Sequence, residues 1–428
     1  MTQSGERVHR ALLNAFRNRH LNSLSWLGAE TALAAAAMTG DGPLAGLPLV
    51  VKDNIDVAGM PSALGTALLA DEIVSHSAAV VTRLQQAGAI IIGKASMHEL
   101  ASGTSGLNAA QGDVRHPFLA SRAVGGSSSG CAAAVAAGIV PASIGTDTGA
   151  SVRLPASFCG IIGFRPSLSR YPLQGIAPIS VSRDTAGILA QRIDDVIAID
   201  AVISGESTLP ALATESLRLG IPRAHFWSGC EPAVADAAEA VLQRLRALGV
   251  TLIEVEIPQV AELAVKAGYP LASFEMLRDL PTYLRARDSR YDFEQLRRAV
   301  KSTDVIALLD DAAGVSEQQY QQALTHWKPL LTERYRTVFQ QHRLDGLIFP
   351  SVPLLPPRIE EANALFRRLI ANCEPATVAG LPCISLPLAE TPEGIPVGIE
   401  IQFAQGEDRR LLAAAAAILG NDLSTAPR

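Results

Sequence analysis

The stretch from residue 77 to residue 92 limits the fold more than any other part of this chain. Val80, Val81, Leu84 and Ala87 recur at helical spacing on one face, and Gly88 stands where that helix must stop. Residues 89–92 then form an unbroken apolar, β-branched run, the pattern of a strand buried on both faces. Residues 48–51, ending at Lys52, read as another buried strand. Helix and strand alternating this closely predict an α/β sheet.

The rest of the chain fits that frame. Strands are expected at 217–221, 251–257, 346–349, 384–387 and 397–403, with helices at 193–202, 232–247 and 408–419. Residues 6–38 read as one or two helices, and 131–138 as an Ala-rich helix closely packed on its neighbours. Residues 121–130 (SRAVGGSSSG) and 145–151 (GTDTGAS) read as loops. The segment 258–342 is polar, Arg-rich and helical, and reads as an insertion on the rim of the sheet. With no internal repeat and no linker between cores, one domain is expected over 1–428. It comprises N-terminal helices at about 6–40, a Ser/Gly-rich core at about 45–205 and the helical insertion.

Apolar residues make up 48% of the chain and charged residues 18%, enough for a sizeable core. The net charge is −6 with acids and bases interspersed, which argues against nucleic acid as a partner. Five scattered cysteines, without CxxC pairs or histidines at ligand spacing, suit a reduced interior; neither a disulfide framework nor a metal site is expected. The polar start and the short or Gly/Pro-broken apolar runs point to a soluble cytoplasmic protein that does not span a membrane.

GAIIIGK (88–94) has the spacing of a phosphate-binding loop. It has Ala95 where a magnesium-holding hydroxyl is needed, and an apolar middle that prefers a strand, so Lys94 reads as a supporting lysine. There is no GxSxG elbow. GGSSSG and GTDTGAS have a plain reading as surface turns. Both, however, lie between long apolar runs, which is the setting of a site held in a framework. Lys52 ends a strand-like run, where alternation turns Asp53 to the other face. Buried there, the lysine loses solvation and becomes a neutral base; at the sheet edge it would snorkel to water. The sequence leaves both readings open.

VVKDNID (51–57), GKASMHELASGTS (93–105), GGSSSGCAAAVAAG (125–138), GTDTGASVRLPASFCGIIGFRPS (145–167) and SRDTAG (182–187), in this order, resemble the amidase signature family. Weaker likeness continues through DGLIFPSVP, AGLPCISLP and GIPVGIEIQ. The resemblance implies a single α/β domain, a mixed central β-sheet surrounded by helices, and cleavage of a carboxylic amide through an acyl-serine. It carries the base to Lys52, a relay serine with a cis peptide bond to Ser127, and the nucleophile to Ser151, which lies 24 residues after the relay as in the family. Thr148, Gly149, Ala150 and Ser151 match the oxyanion loop, and Ala101 a position that meets substrate through its backbone. Asp147 and Arg153 are read as bracing the loop. Ala150 stands where a second glycine is usual, which would cost roughly 1–2 kcal/mol if that residue were left-handed.

No cofactor is implied, and the partner is a small-molecule amide; a homodimer is compatible with the resemblance. RYPLQGIAPISVSRDT and GIPVGIEIQ look most like the branch of indoleacetamide and mandelamide hydrolases, which points to an arylalkyl primary amide. Arg285, Arg287, Arg290, Arg297 and Arg298, with only 5% aromatic residues, keep a small acidic amide such as malonamate as an alternative. Two others are the A-type subunit of a tRNA-dependent amidotransferase and a silent binding protein on the same fold.

Overall fold

Residues of opposite parity on the central strands are buried against different layers of helix. In a computed structural model describing residues 2–421, Leu49, Val51 and Ile91 join one apolar cluster, and Val50, Ile90 and Ile92 join another. The first cluster includes side chains from the helices Ala79–Gln86, Ile193–Ser204, Pro232–Ala247 and Asp408–Leu419. The second includes Gln3–Arg17, Ala29–Met38 and Ser129–Ala136. A sheet covered on both faces has no need of alternating polar residues, which is why these strands read as continuous apolar runs.

Eleven strands form one mixed sheet: β1 (Leu24–Leu27), β2 (Pro48–Lys52), β3 (Ile90–Ala95), β4 (Ala142–Asp147), β5 (Ile162–Arg165), β6 (Thr185–Ala190), β7 (Arg218–Pro222), β8 (Thr251–Val255), β9 (Gly346–Pro350), β10 (Cys383–Glu390) and β11 (Pro396–Phe403). Their order is β1-β3-β2-β4-β6-β5-β10-β11-β9-β7-β8. β2 is parallel to both β3 and β4, so Lys52 and Asp147 end neighbouring strands at the same edge. The five later strands and three later helices lie where the sequence places them, within a few residues. β1, β4, β5 and β6 are not among the strands the sequence predicts; β1 interrupts the stretch read as helical, and residues 145–147, expected as loop, are the end of β4. Between Val260 and His342 the chain is helical, with Val260–Ala286 its longest element. Among the described residues no helix is long and apolar enough to cross a membrane.

An ion network fixes the middle of the sheet. Arg153, fully buried, meets Asp147 through Nε–Oδ2 and Nη2–Oδ1, both at 3.1 Å, and reaches Glu400 of β11 at 2.6 Å. Arg165 of β5 lies 3.6 Å from the same aspartate. Burial alone would push the Asp147 carboxyl up, but Arg153 and Arg165 bring it down to about 2. Its stabilising effect is therefore complete above its ordinary 3.8 and is lost as pH falls through about 2. Arg153→Met should destabilise the fold by about 3–5 kcal/mol, since buried Glu400 loses its cation and buried Asp147 one of its two; urea unfolding measures this.

Close approach fixes the other end of the Ser/Gly block. Gly130, in the first turn of Ser129–Ala136, donates its N–H to Ser96 O at 2.8 Å. A Cβ there would fall on the backbone of Ser23 and Ser96. Gly130→Ala should therefore cost about 1–3 kcal/mol, read as a lower urea midpoint at unchanged slope.

Candidate active site

Lys52 follows Val50 on the face that packs against Ser129–Ala136, and the residues just before that helix carry Ser127. Lys52 is fully buried, with Nζ 2.8 Å from Ser127 Oγ, 2.8 Å from Thr146 Oγ1 and 3.5 Å from Thr146 O. Asn54 Nδ2 also donates to the Thr146 hydroxyl, at 3.2 Å. The Gly126–Ser127 peptide is cis. Burial pulls the Lys52 ammonium down from 10.5 to about 7, against a smaller upward pull from Asp147 and Asp184. Asp53 is turned away from Lys52: it accepts from the N–H groups of Ala63 and Gly65 and pairs with Lys94 at 3.8 Å. Lys94 belongs to β3, so the phosphate-loop spacing lies in a strand.

The loop after β4 is held by its carbonyls. Gly149 O accepts from Arg153 Nη2 at 3.2 Å, Ala150 O from Leu154 N at 2.8 Å and Ser151 O from Ser128 N at 3.2 Å. Asp147 Oδ2 takes the N–H of Val152 at 3.1 Å. The N–H groups of Thr148, Gly149, Ala150 and Ser151 have no acceptor among the described residues. A loop tied by four successive contacts from behind, with four free donors, has the form of an anion cradle. Ala150 does not have a positive φ, so the strain considered for it does not arise. Strain lies instead at Leu100 and Ala101, with φ of 52° and 57°. Their N–H groups are engaged by Leu64 O and His98 O, both at 2.9 Å, while the Ala101 carbonyl has no partner among the described residues.

Ala101, Thr148, Gly149, Ala150 and Ser151 share one cavity of about 380 Å3, whereas Lys52 and Ser127 lie behind its wall. The opposite side comes from the helical segment and from the chain after β9. Ala272, Met276, Leu308, Phe366 and Ile370 make it largely apolar, and Ile179, just before β6, adds to the lining. None of the five arginines singled out in the sequence lines it. Arg287 is held by Glu72 and Ser62 O, and Arg297 by Asp310. The charged residues that do line it are Arg183, Arg367, Asp304, Asp311 and Glu374. The sequence pointed to neither Thr146 nor Arg183 nor the helical wall as parts of a site. Thr146 stands in the GTDTGAS block beside groups that drew the attention, and the wall comes from residues more than a hundred positions away. Among the described residues no group of three or more His, Cys, Asp or Glu side chains is gathered to hold a metal ion.

Comparison with known proteins agrees with this architecture. A family model described as Amidase matches residues 8–412. The indoleacetamide hydrolase of Allorhizobium ampelinum is 36% identical over 416 residues, covering 93% of this chain and 90% of the relative. The mandelamide hydrolase of Pseudomonas putida is 39% identical, over 87% of this chain and 78% of the relative. Among solved structures, one described as an amidase superposes with a TM-score of 0.87 at 31% identity, covering 98% of this chain and 96% of that one. The peptide amidase of Stenotrophomonas maltophilia gives 0.87 at 26%, covering 100% and 95%. The chain belongs to the amidase family, and is an enzyme of amide hydrolysis.

Proposed function

We propose that this enzyme cleaves an arylalkyl primary amide to a carboxylate and ammonia, with Ser151 as nucleophile, Ser127 as proton relay and Lys52 as base. The observation that carries the reading is the 2.8 Å approach of a buried, charge-depressed Lys52 to Ser127, beside a cavity lined by Ser151. A neutral amine has two N–H groups and one lone pair. With the N–H groups turned to Thr146 Oγ1 and O, the lone pair is left for the Ser127 hydroxyl.

The steps follow from that arrangement. Ser151 Oγ attacks the amide carbon as its proton passes to Ser127, whose own proton passes to Lys52. The carbonyl oxygen becomes an anion met by N–H groups from residues 148–151, a stabilisation worth about 3–4 kcal/mol per donor in hydrolases of this kind. Lys52 returns a proton through Ser127 to the nitrogen, because an amine leaves only when protonated. Ammonia departs, water takes its place on the same relay, and hydrolysis of the Ser151 ester releases the acid. The apolar cavity wall and the relatives' names support an aryl side chain on the substrate. The described cysteines are all free, which suits the reducing cytoplasm as the place of action.

Ser151→Ala should leave a folded protein with activity reduced by ~1000-fold or more, measured as ammonia release from indoleacetamide or mandelamide. An acyl adduct trapped on another residue and seen by mass spectrometry would refute the assignment. In the parent enzyme kcat/KM should rise with pH through about 7 as Lys52 loses its proton, then level off. Lys52→Arg should be nearly inactive at every pH, since guanidinium keeps its proton; retention of most of kcat would mean that another group is the base.

A further inference from the structure

We propose that Asp184 is a positioning residue for this reaction, fixing the residue 148–151 loop through the Thr148 hydroxyl and tying that loop to the cavity-lining helix Val260–Ala286. The proposal rests on the reading of this loop as the oxyanion cradle, and it assigns the loop's orientation to side chains that lie outside the triad.

The connection is continuous. Thr148 Oγ1 donates to Asp184 Oδ1 at 2.6 Å. The other carboxylate oxygen accepts the N–H groups of Ile179 and Ser180, each at 2.9 Å. Ser180 Oγ donates to Glu275 Oε2 at 2.6 Å, and Ser182 reaches the same oxygen through its N–H at 3.1 Å and its hydroxyl at 2.9 Å. Glu275 is buried on Val260–Ala286, next to Met276 of the cavity wall. A second tie runs from Arg183 Nη1 to Gly268 O on that helix at 2.6 Å. Residues 179–184 thus join the wall that would contact the substrate's side chain to the loop that would contact its carbonyl.

The carbonyls of Gly149, Ala150 and Ser151 are tied from behind, but Thr148 opens the loop and is held through its side chain. Both carboxylate oxygens of Asp184 accept hydrogen bonds, of 2.6 Å at one and 2.9 Å at the other, which fixes the plane of the group. Removing the Thr148 hydroxyl frees the first residue of the cradle and leaves the hydrogen bonds of Lys52 to Ser127 and Thr146 in place. Misalignment of donors weakens the transition state more than the bound substrate, because full charge on the oxygen develops only there.

The test compares Thr148→Val, which keeps the shape and deletes the hydroxyl, with Thr148→Ser, which keeps the hydroxyl. Steady-state kinetics on indoleacetamide should show kcat down by ~10-fold or more for the valine variant with KM within about twofold, and most of kcat recovered in the serine variant. Glu275→Gln provides a second measurement at a distance, with a smaller fall in kcat and the same unchanged KM. Unchanged kcat in Thr148→Val overturns the proposal; so does an equal loss in the valine and serine variants. Should Thr148→Val fail to fold, unchanged kcat in Glu275→Gln overturns it. Ser151→Ala, run alongside, separates the two readings: an active Ser151→Ala removes the acyl-serine mechanism itself, whereas an inactive one with a fully active Thr148→Val removes only the role of Asp184.

Discussion

The site depends on one electrostatic condition: a lysine taken out of water with no carboxylate free to hold its proton. The change from 10.5 to about 7 at Lys52 corresponds to roughly 5 kcal/mol against the ammonium. A single unpaired carboxylate within a few ångströms would reverse much of that. The acid that follows Lys52 in sequence and the acid that ends the adjoining strand are both engaged elsewhere. Asp53 faces Lys94 and two backbone N–H groups, and Asp147 faces Arg153 and Arg165. The arginine network therefore does more than hold β4 to β11. It keeps the charge of Asp147 directed away from the amine one strand over.

The same network shapes the loop. Arg153 binds the Asp147 side chain and the Gly149 carbonyl, so one guanidinium fixes both the end of β4 and the turn that follows it. Because β2 and β4 are parallel neighbours, the amine at the end of one and the loop leaving the other meet outside the carboxyl ends of the strands, where α/β sheets commonly place ligands. The free N–H groups then follow from where the carbonyls are spent: held from behind, they leave the donors unclaimed.

Much of this was legible in the sequence, for identifiable reasons. Long apolar runs and helix periodicity located the later strands and helices closely, with 232–247 and 408–419 matched in full. Motif order and spacing carried the family, which the comparisons bear out. β1 and β5 escaped because four residues are too few to show a pattern, and β4 and β6 because Gly, Ala, Ser and Thr dilute their apolar character; all draw their strand character from neighbours in the sheet rather than from propensity. Burial of Lys52 was equally invisible. Strand alternation turned Asp53 aside, but only the packing of Ser129–Ala136 over β2 takes the lysine from the sheet edge into the interior.

The arginines of the helical segment show the opposite error, in which composition suggested a role that placement denies. Counted along the chain, five of them within fourteen residues point to an acidic ligand. In the fold, Arg287 neutralises Glu72 and Arg297 meets Asp310, while the same stretch of helices turns Gly268, Ala272, Met276 and Leu308 toward the cavity. A helix presents different residues to water and to a pocket every few positions, so the charge of a segment says little about the chemistry of the face it contributes. The face these helices give the cavity is largely apolar, with Asp304 and Asp311 at its charged positions. On the proposed reading, the groups at the cleaved bond come from the end of β2 and the loops beside it, and the wall facing them comes largely from the helices.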